Sequence, residues 1–176
     1  MTNPMLGDPM DDRIASLERR LEEMEGRVGD AEDRLAIYHL VASYGPAADG
    51  LSRAGLEELW VPDGTYDTEY LVFEGAAAVG GIVDDSLHHE FIAAGCAHIM
   101  SMPHISLTGD TAVATNYSRV YIAGEDGWRV VRAAANRWEL IRGSDGVWRV
   151  QRRVNRLLNG SEASRSILAK GVNVGR

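Results

Sequence analysis

The functional question in this sequence centres on one histidine, His98, in the segment CAHIMSMPHISLTGDTAVATNYSRVY (residues 96–121). The segment predicts a β-hairpin, because two strand-forming runs flank a turn in which Gly109 accepts a positive φ. Side chains alternate along a strand, so His98 is expected to share a face with Met100 and His104. An imidazole beside this apolar run is either a satisfied core group or a poised catalytic base, and the residue types leave both readings open.

Arg137 is a candidate for holding an anion. It falls on a predicted long strand, residues 128–142, and shares a face with Ala133 and Ala135, whose small side chains would leave room for a ligand. A guanidinium in that position could bind a carboxylate or a developing oxyanion. The alternative is a surface arginine that pairs with Glu139.

Three tyrosines and an asparagine are further candidates for binding a substrate. Tyr44, Tyr66 and Tyr117 could line a pocket and donate a hydrogen bond to a substrate oxygen. They could equally be ordinary core tyrosines whose hydroxyls are satisfied. Asn136 is a weaker candidate of the same kind.

The sequence predicts neither a metal site nor a cofactor. Adjacent residues of a helix point about 100° apart, so His88 and His89 do not converge on one ion. His98 and His104 lie ~20 Å apart along an extended strand, which is too far for a shared ion. The glycines at residues 75–81 fit no phosphate-binding motif.

Composition limits the class of protein and its partners. The chain has 176 residues and a net charge of -8, which argues against nucleic acid or an anionic membrane as a partner. Cys96 is the only cysteine, so no intrachain disulfide is possible and a reducing compartment is expected. The first residues lack the pattern of a signal peptide, and no apolar run has membrane-spanning length. These features predict a soluble cytoplasmic protein.

An amphipathic helix precedes the main domain. Its apolar residues recur at alternating steps of three and four, which is a heptad pattern that predicts a homo-oligomer, either a dimer or a trimer. The alternative is a helix that lies on its own domain. The pattern comprises Ile14, Leu17, Leu21, Met24, Val28, Ala31, Leu35 and Tyr38.

The expected organisation has three parts. Residues 1–29 form a tail and the heptad helix, residues 30–170 form one α+β domain, and residues 171–176 form a tail. A break is expected near Gly29, because glycine costs about 1 kcal/mol against alanine inside a helix. Gly45-Pro46 is expected to bend or interrupt the following helix.

The order of predicted elements favours an α+β fold. Helices dominate up to about residue 94, and long strands follow at residues 97–107, 112–123, 128–142 and 147–158. That order implies a curved antiparallel sheet with helices packed across its open face. Such an arrangement encloses a cavity, which is a natural site for a small molecule.

Several segments, taken in order, resemble the SnoaL-like branch of the nuclear-transport-factor-2-like superfamily. They are LEELWVPDGTYD, the run Cys96-Ala97-His98, GDTAVATNYS, NRWEL and DGVWRV, and the likeness covers roughly residues 31–160. The resemblance implies a cone-shaped α+β barrel. The branch includes scytalone dehydratase and hexachlorocyclohexane dehydrochlorinase.

The resemblance also implies roles for particular residues. In those relatives an Asp at the end of the first domain helix orients a His base on a strand, and Asp49 and His98 occupy the matching positions. Tyr66 falls where they have an aromatic pocket residue. The expected function is therefore a cofactor-independent lyase of the dehydratase type that acts on a small hydrophobic oxygenated molecule. The alternatives are a non-catalytic binding or oligomerisation module, and a polyketide cyclase, isomerase or epoxide hydrolase.

Overall fold

The structure is a computed structural model that describes residues 9–172. The predictions for residues 1–8 and 173–176 lie outside the described part of the chain. Contacts divide the chain into two units, one ending at Leu35 and the other beginning at Ala36. None of the helices within residues 9–172 is both long and apolar enough to cross a membrane.

The first helix, α1, runs without interruption from Pro9 to Asp49. The predicted break near Gly29 is therefore wrong, because one glycine costs only about 1 kcal/mol and the rest of the long helix offsets that loss. The helix also continues through Pro46. Pro46 and Ala42 are exposed, so water can reach this turn, where the Ala42 carbonyl lacks its usual N–H donor.

The heptad residues of the first unit lie on the surface. Their exposed fractions range from 47% to 57%, so this apolar stripe is not covered by other parts of the unit. The exposed members are Ile14, Leu17, Leu21, Met24, Val28 and Leu35.

The second unit contains a sheet and several short helices. In chain order the elements are α2 (Arg53–Glu58), β1 (Trp60–Asp67), β2 (Val72–Glu74), α3 (Ala76–Gly80), a short 3-10 helix (Gly81–Asp84), α4 (Ser86–Ala94), β3 (Cys96–Met100), β4 (His104–Thr108), β5 (Thr111–Gly124), β6 (Gly127–Arg142), β7 (Trp148–Leu157) and α5 (Glu162–Val172).

The predicted α+β class is confirmed, and the sheet is mixed rather than wholly antiparallel. The strand order is β2-β1-β7-β6-β5-β3, and β4 also pairs with β5. β1 pairs with β7 in parallel, while the other ladders are antiparallel. Parallel neighbours need a long crossover connection, and the chain between β1 and β7 provides it. The order of paired strands begins at β2 and ends at β3, so the sheet among the described residues is curved but not closed.

The predicted strand at residues 97–107 is in fact two strands, β3 and β4. Pro103 has no N–H to give to a ladder, and the residues between the strands bond differently. The backbone N–H of Ser101 donates to the carbonyl of Tyr117 at 2.9 Å, and the Ser101 hydroxyl accepts from the Tyr117 N–H at 3.0 Å. The prediction that His98 and His104 share one strand face is therefore wrong, and His104 is exposed.

The core of the second unit lies on one face of the sheet. Ala112 and Ala114 of β5 and Trp138 of β6 are at most 4% exposed and form a cluster with α1 side chains such as Ile37 and Tyr44. The end of α1 is thereby fixed against the sheet, and Asp49 is its last residue.

Candidate active site

A cavity of about 580 Å³ opens on the same face of the sheet. Much of its wall is aromatic or aliphatic, with Phe73, Phe91 and Ile122 among the contributors. Two histidines and three arginines also line it, whereas none of its described lining residues is Asp or Glu. The cavity suits a largely apolar molecule that carries an acceptor oxygen or a negative charge.

Asp49 bonds to His98, whose ring lines this cavity. Asp49 Oδ1 lies 2.5 Å from His98 Nδ1, and Asp49 Oδ2 accepts the backbone N–H of His98 at 2.8 Å. Both oxygens of the carboxylate are thus used on one residue, which fixes the imidazole ring. A carboxylate only accepts, so Nδ1 carries the proton and the lone pair of the neutral ring is on Nε2. None of residues 9–172 hydrogen-bonds to Nε2.

A glycine allows the helix and the strand to approach closely enough for this contact. A Cβ placed on Gly45 would lie 2.1 Å from the carbonyl oxygen of His98. Gly45 is buried, and it lies one helical turn before Asp49. A side chain at this position would force α1 away from β3 and would separate Asp49 from His98.

We expect Gly45→Ala to lower the free energy of unfolding by roughly 1–3 kcal/mol, because the added methyl overpacks the contact between helix and strand. Urea denaturation measures this change. Gly26→Ala is the matched control, since nothing lies within 4 Å of a Cβ at Gly26 and the helix should gain stability. Equal effects of the two substitutions would contradict a close approach at Gly45.

His98 is poised as a base near neutral pH. Burial lowers the pKa of its imidazole below the ordinary 6.5, and the charges of His88 and Arg153 act in the same direction. The hydrogen bond and charge of Asp49 raise the pKa and so oppose this shift only in part. The ring is therefore neutral at pH 7 and can accept a proton at Nε2.

The same shift links stability to pH. The pKa of His98 is lower in the folded than in the unfolded chain, so the unfolded chain takes up this proton first as the pH falls below about 6.5. We expect the free energy of unfolding to fall between pH 7.5 and pH 5, as measured by urea denaturation. The dependence should be weaker in His98→Gln. The arginine-paired carboxylate of Asp67 has a pKa lowered from 3.8, so it contributes only at lower pH.

His88, which sequence analysis did not select for this site, lies against the Asp49–His98 pair. Its ring stacks on that of His98, with centroids 5.7 Å apart. Its Nε2 lies 3.0 Å from the carbonyl oxygen of Ala48, which can only accept, so Nε2 carries a proton. His88 therefore joins α4 to the end of α1 and packs against one side of the His98 ring.

Arg153 is the buried cation of the site, and sequence analysis missed it. It is 1% exposed, and its guanidinium carbon lies 4.0–4.4 Å from the ring centroids of Tyr44, Tyr66 and Trp138. Its Nε and Nη2 donate to the Oδ1 of Asn136, whereas its Nη1 has no hydrogen-bond partner. No carboxylate within residues 9–172 forms an ion pair with it, so its charge acts on the cavity without a counter-ion.

Two of the predicted tyrosines line the cavity next to this cation. Tyr44 and Tyr66 are each 5% exposed, and their rings are 6.2 Å apart. Burial, followed by the proximity of Tyr66, raises the pKa of the Tyr44 hydroxyl well above its ordinary value. Tyr44 therefore stays protonated and can donate a hydrogen bond, but it cannot serve as a base.

The predictions that Tyr117 and Arg137 line the cavity are wrong. Alternation along β5 and β6 places both side chains on the opposite face of the sheet, because Asn116 and Trp138 face the core. Tyr117 is 43% exposed, and Arg137 Nε pairs with Glu139 at 2.9 Å. This pairing is the alternative that the sequence left open for Arg137.

Asn136 lies behind the cavity wall rather than in it. It is fully buried, and its Oδ1 accepts from Arg153 and also from Asn155 Nδ2 at 2.7 Å. Asn155 Oδ1 accepts in turn from Arg132 Nη2 at 2.6 Å. The predicted substrate contact by Asn136 is therefore replaced by a supporting role, in which Asn136 fixes the guanidinium of Arg153.

Three side chains at the site could offer ligand atoms to a metal ion. The ligand atoms of Asp49, Cys96 and His98 lie within 4.8 Å of one another. However, Asp49 and His98 already bond to each other, and a cation would have to displace the proton on Nδ1. Burial, with the charge of Asp49, raises the pKa of the Cys96 thiol, so the thiolate that a metal prefers is disfavoured. These residues therefore fit a metal poorly.

Known structures share this architecture. A nuclear-transport-factor-2-like protein with a cystatin-like fold from Novosphingobium aromaticivorans is 38% identical, with a TM-score of 0.81 over 84% of this chain and 96% of that chain. A protein of unknown function from Mycobacterium tuberculosis is 22% identical, with a TM-score of 0.63 over 80% of this chain and 95% of that chain. A superfamily protein from Salmonella enterica is 12% identical, with a TM-score of 0.61 over 72% of this chain and 91% of that chain. The last two show the fold alone.

The family follows from a sequence match. A comparison with curated proteins gave no match. The family model described as a SnoaL-like domain matches residues 29–154, which is most of the chain and includes both Asp49 and His98. The chain belongs to the SnoaL-like family of the nuclear-transport-factor-2-like superfamily.

Proposed function

We propose that this protein is a cofactor-independent lyase of the dehydratase type that acts on a small hydrophobic oxygenated molecule. The observation that carries the proposal is the contact of Asp49 with His98, whose ring lines a largely apolar cavity. Asp49 holds the Nδ1 proton, so Nε2 is the basic atom. A buried neutral imidazole with such a partner is suited to removing a proton from carbon next to a carbonyl.

The first step is proton abstraction. His98 Nε2 takes the proton, the C–H bonding pair moves toward the carbonyl, and an enolate forms. The imidazolium is stabilised by Asp49 at 2.5 Å. The enolate oxygen is stabilised by a hydrogen bond from Tyr44 or Tyr66 and by the unpaired charge of Arg153, which is strong because the surroundings are apolar.

The second step expels the leaving group. The enolate pair forms the new carbon–carbon double bond, and the bond from the β-carbon to its hydroxyl oxygen breaks. His98 returns its proton to that oxygen, so water leaves and the base is regenerated. One residue thus serves as base and then acid, and the reaction consumes no oxidant or reductant.

Deuterium exchange tests the proposal before the natural substrate is known. The protein is incubated in D₂O with a panel of cyclic and aromatic β-hydroxy ketones, and NMR follows exchange at the α-carbon while absorbance follows the conjugated product. We expect both exchange and dehydration in the wild type and the loss of both in His98→Ala. His104→Ala is the matched control, since His104 is exposed on the neighbouring strand β4.

Three results would overturn the proposal. Equal exchange rates in the wild type and in His98→Ala would remove His98 as the base. Saturable binding of a panel compound without exchange or turnover would favour the alternative function, a non-catalytic binding module. Exchange without loss of water would instead favour an isomerase or a cyclase, which begin with the same proton abstraction.

A further inference from the structure

Charged residues flank the exposed apolar stripe of the first unit and indicate which partner it binds. We infer that residues 14–35 pair with the same residues of a second copy as a parallel, in-register, two-stranded coiled coil. The inference concerns assembly and does not depend on the proposed function. It rests on the register of the heptads, on the charges beside them and on the exposure of both.

The apolar residues occupy the two seam positions of a heptad, a and d. Ile14, Leu21, Val28 and Leu35 fall at position a. Leu17, Met24 and Ala31 fall at position d. With β-branched Ile14 and Val28 at a and leucine at the first d, the seam favours two strands over three.

The residues that flank the seam are basic on one side and acidic on the other in each of three successive heptads. Arg13, Arg20 and Arg27 occupy position g. Glu18, Glu25 and Glu32 occupy position e. All six are exposed, and none of their side chains forms a hydrogen bond or an ion pair within residues 9–172.

This sorting distinguishes the two orientations of a pair. In a parallel coiled coil, position g of one helix faces position e of the next heptad in its partner. Arg13 then faces Glu18, and Arg20 faces Glu25, in both directions across the seam. In an antiparallel coiled coil, g faces g and e faces e, so arginine would meet arginine and glutamate would meet glutamate. The charges favour the parallel orientation and oppose the other.

The residues of the stripe are exposed and are not among the core side chains of α1. From Ile37 onward the buried apolar side chains of the helix fall at positions c, f and g, beginning with Ile37, Leu40, Val41 and Tyr44. A second helix that repeats the same pattern is the occupant whose charges and apolar spacing both match.

The two glycines of this segment do not interrupt the seam. Gly26 falls at position f and Gly29 at position b, which point away from a partner helix. A Cβ at either position would meet nothing within 4 Å. They weaken the helix without disturbing the contact surface.

A charge reversal in the 176-residue chain tests the orientation, because it should weaken a parallel dimer and strengthen an antiparallel one. In a parallel dimer, Arg20→Glu places glutamate opposite Glu25 twice per dimer, and we expect a dissociation constant raised roughly tenfold by sedimentation. Adding Glu25→Arg should restore association to within about threefold of the wild type. Arg19→Glu makes the same change of charge at the outer position f and should leave association unchanged.

Other outcomes overturn the inference. In an antiparallel dimer, Arg20→Glu would remove a repulsion and strengthen association. A monomeric wild type, or equal effects of Arg19→Glu and Arg20→Glu, would also overturn it, and a mass of three chains would overturn the two-stranded form.

Cross-linking gives a second readout. Ile14→Cys in a Cys96→Ser background should form an intermolecular disulfide on mild oxidation, since equivalent seam residues meet in a parallel pair. In an antiparallel pair they would lie about 30 Å apart, at opposite ends of a seam that rises 1.5 Å per residue. The parent chain, whose only cysteine is Cys96, is the control. Absence of the disulfide alongside a dimeric mass would contradict the parallel register.

Discussion

Replacing Asp49 with asparagine is expected to lower kcat/KM about 10³- to 10⁴-fold, nearly as much as removing His98 itself. The two residues act as one unit, because both carboxylate oxygens of Asp49 accept hydrogen bonds from His98. An asparagine can offer its NH₂ group to Nδ1. The ring would then carry its proton on Nε2 and would have no lone pair for the substrate.

A variant that combines Asp49→Asn with His98→Ala tests whether the two residues act together. If Asp49 acts only through His98, then Asp49→Asn combined with His98→Ala should be no slower than His98→Ala alone. Kinetics on a substrate from the deuterium-exchange panel measure this. The isosteric change Asp126→Asn in the exposed β5–β6 turn is the control and should leave kcat/KM unchanged. Multiplied losses in the double variant would show that Asp49 has a separate role.

The sequence predicted the general architecture because that architecture rests on local signals. Turn glycines such as Gly109 and Gly127 adopt positive φ where strands reverse, and the long strands β5 to β7 follow from them. The parallel pairing of β1 with β7 could not be predicted in this way. It depends on contacts between segments far apart in the chain, which no local pattern encodes.

The pairing of Asp49 with His98 was predicted from family resemblance, not from periodicity. The two residues are separated by 49 positions, and alternation along β3 says only which face His98 occupies. Gly45 is visible in the sequence, but its pattern predicts a different role from the one it has. Together with Pro46 it suggested a bend, whereas its role is to admit the backbone of His98 at close range.

The arginine of the site was misassigned for a specific structural reason. On β7, Trp148 and Val150 face the core, so strict alternation would place Arg152 inward and Arg153 outward. The ladder with β6 shifts between Glu139 and Leu140, which leaves Gln151 as an extra residue on β7. Before this bulge the even-numbered residues of β7 face the core, and after it the odd-numbered ones do, so Arg153 points to the core.

A second bulge acts in the same way at the cavity. The ladder between β5 and β6 shifts between Val120 and Tyr121, and Val131 is the extra residue on β6. Arg129 and Arg132 both line the cavity as a result, although three positions separate them. No glycine or proline marks either bulge, so the sequence pattern gives no sign of the cations that the two bulges bring to the cavity.

Arg153→Met is expected to lower kcat/KM about 10²- to 10³-fold, because the developing enolate loses its buried positive charge. Stability should change far less, by about 1 kcal/mol or less, because opposing effects are of similar size. Methionine removes the desolvation cost of a buried cation without a carboxylate partner. It also removes the stacking on Tyr44, Tyr66 and Trp138 and the bonds to Asn136.

A comparison with lysine separates charge from shape. Arg153→Lys retains a cation among the same three rings but lacks the planar fork that holds Asn136 Oδ1 through two nitrogens. If the charge is what matters, Arg153→Lys should retain more of kcat/KM than Arg153→Met, while both unfold at similar urea concentrations. If Arg153 only supports the core, both variants should lose stability and neither should lose kcat/KM once the folded fraction is taken into account. Stability and rate measured on the same samples therefore decide between an electrostatic and a structural role for Arg153.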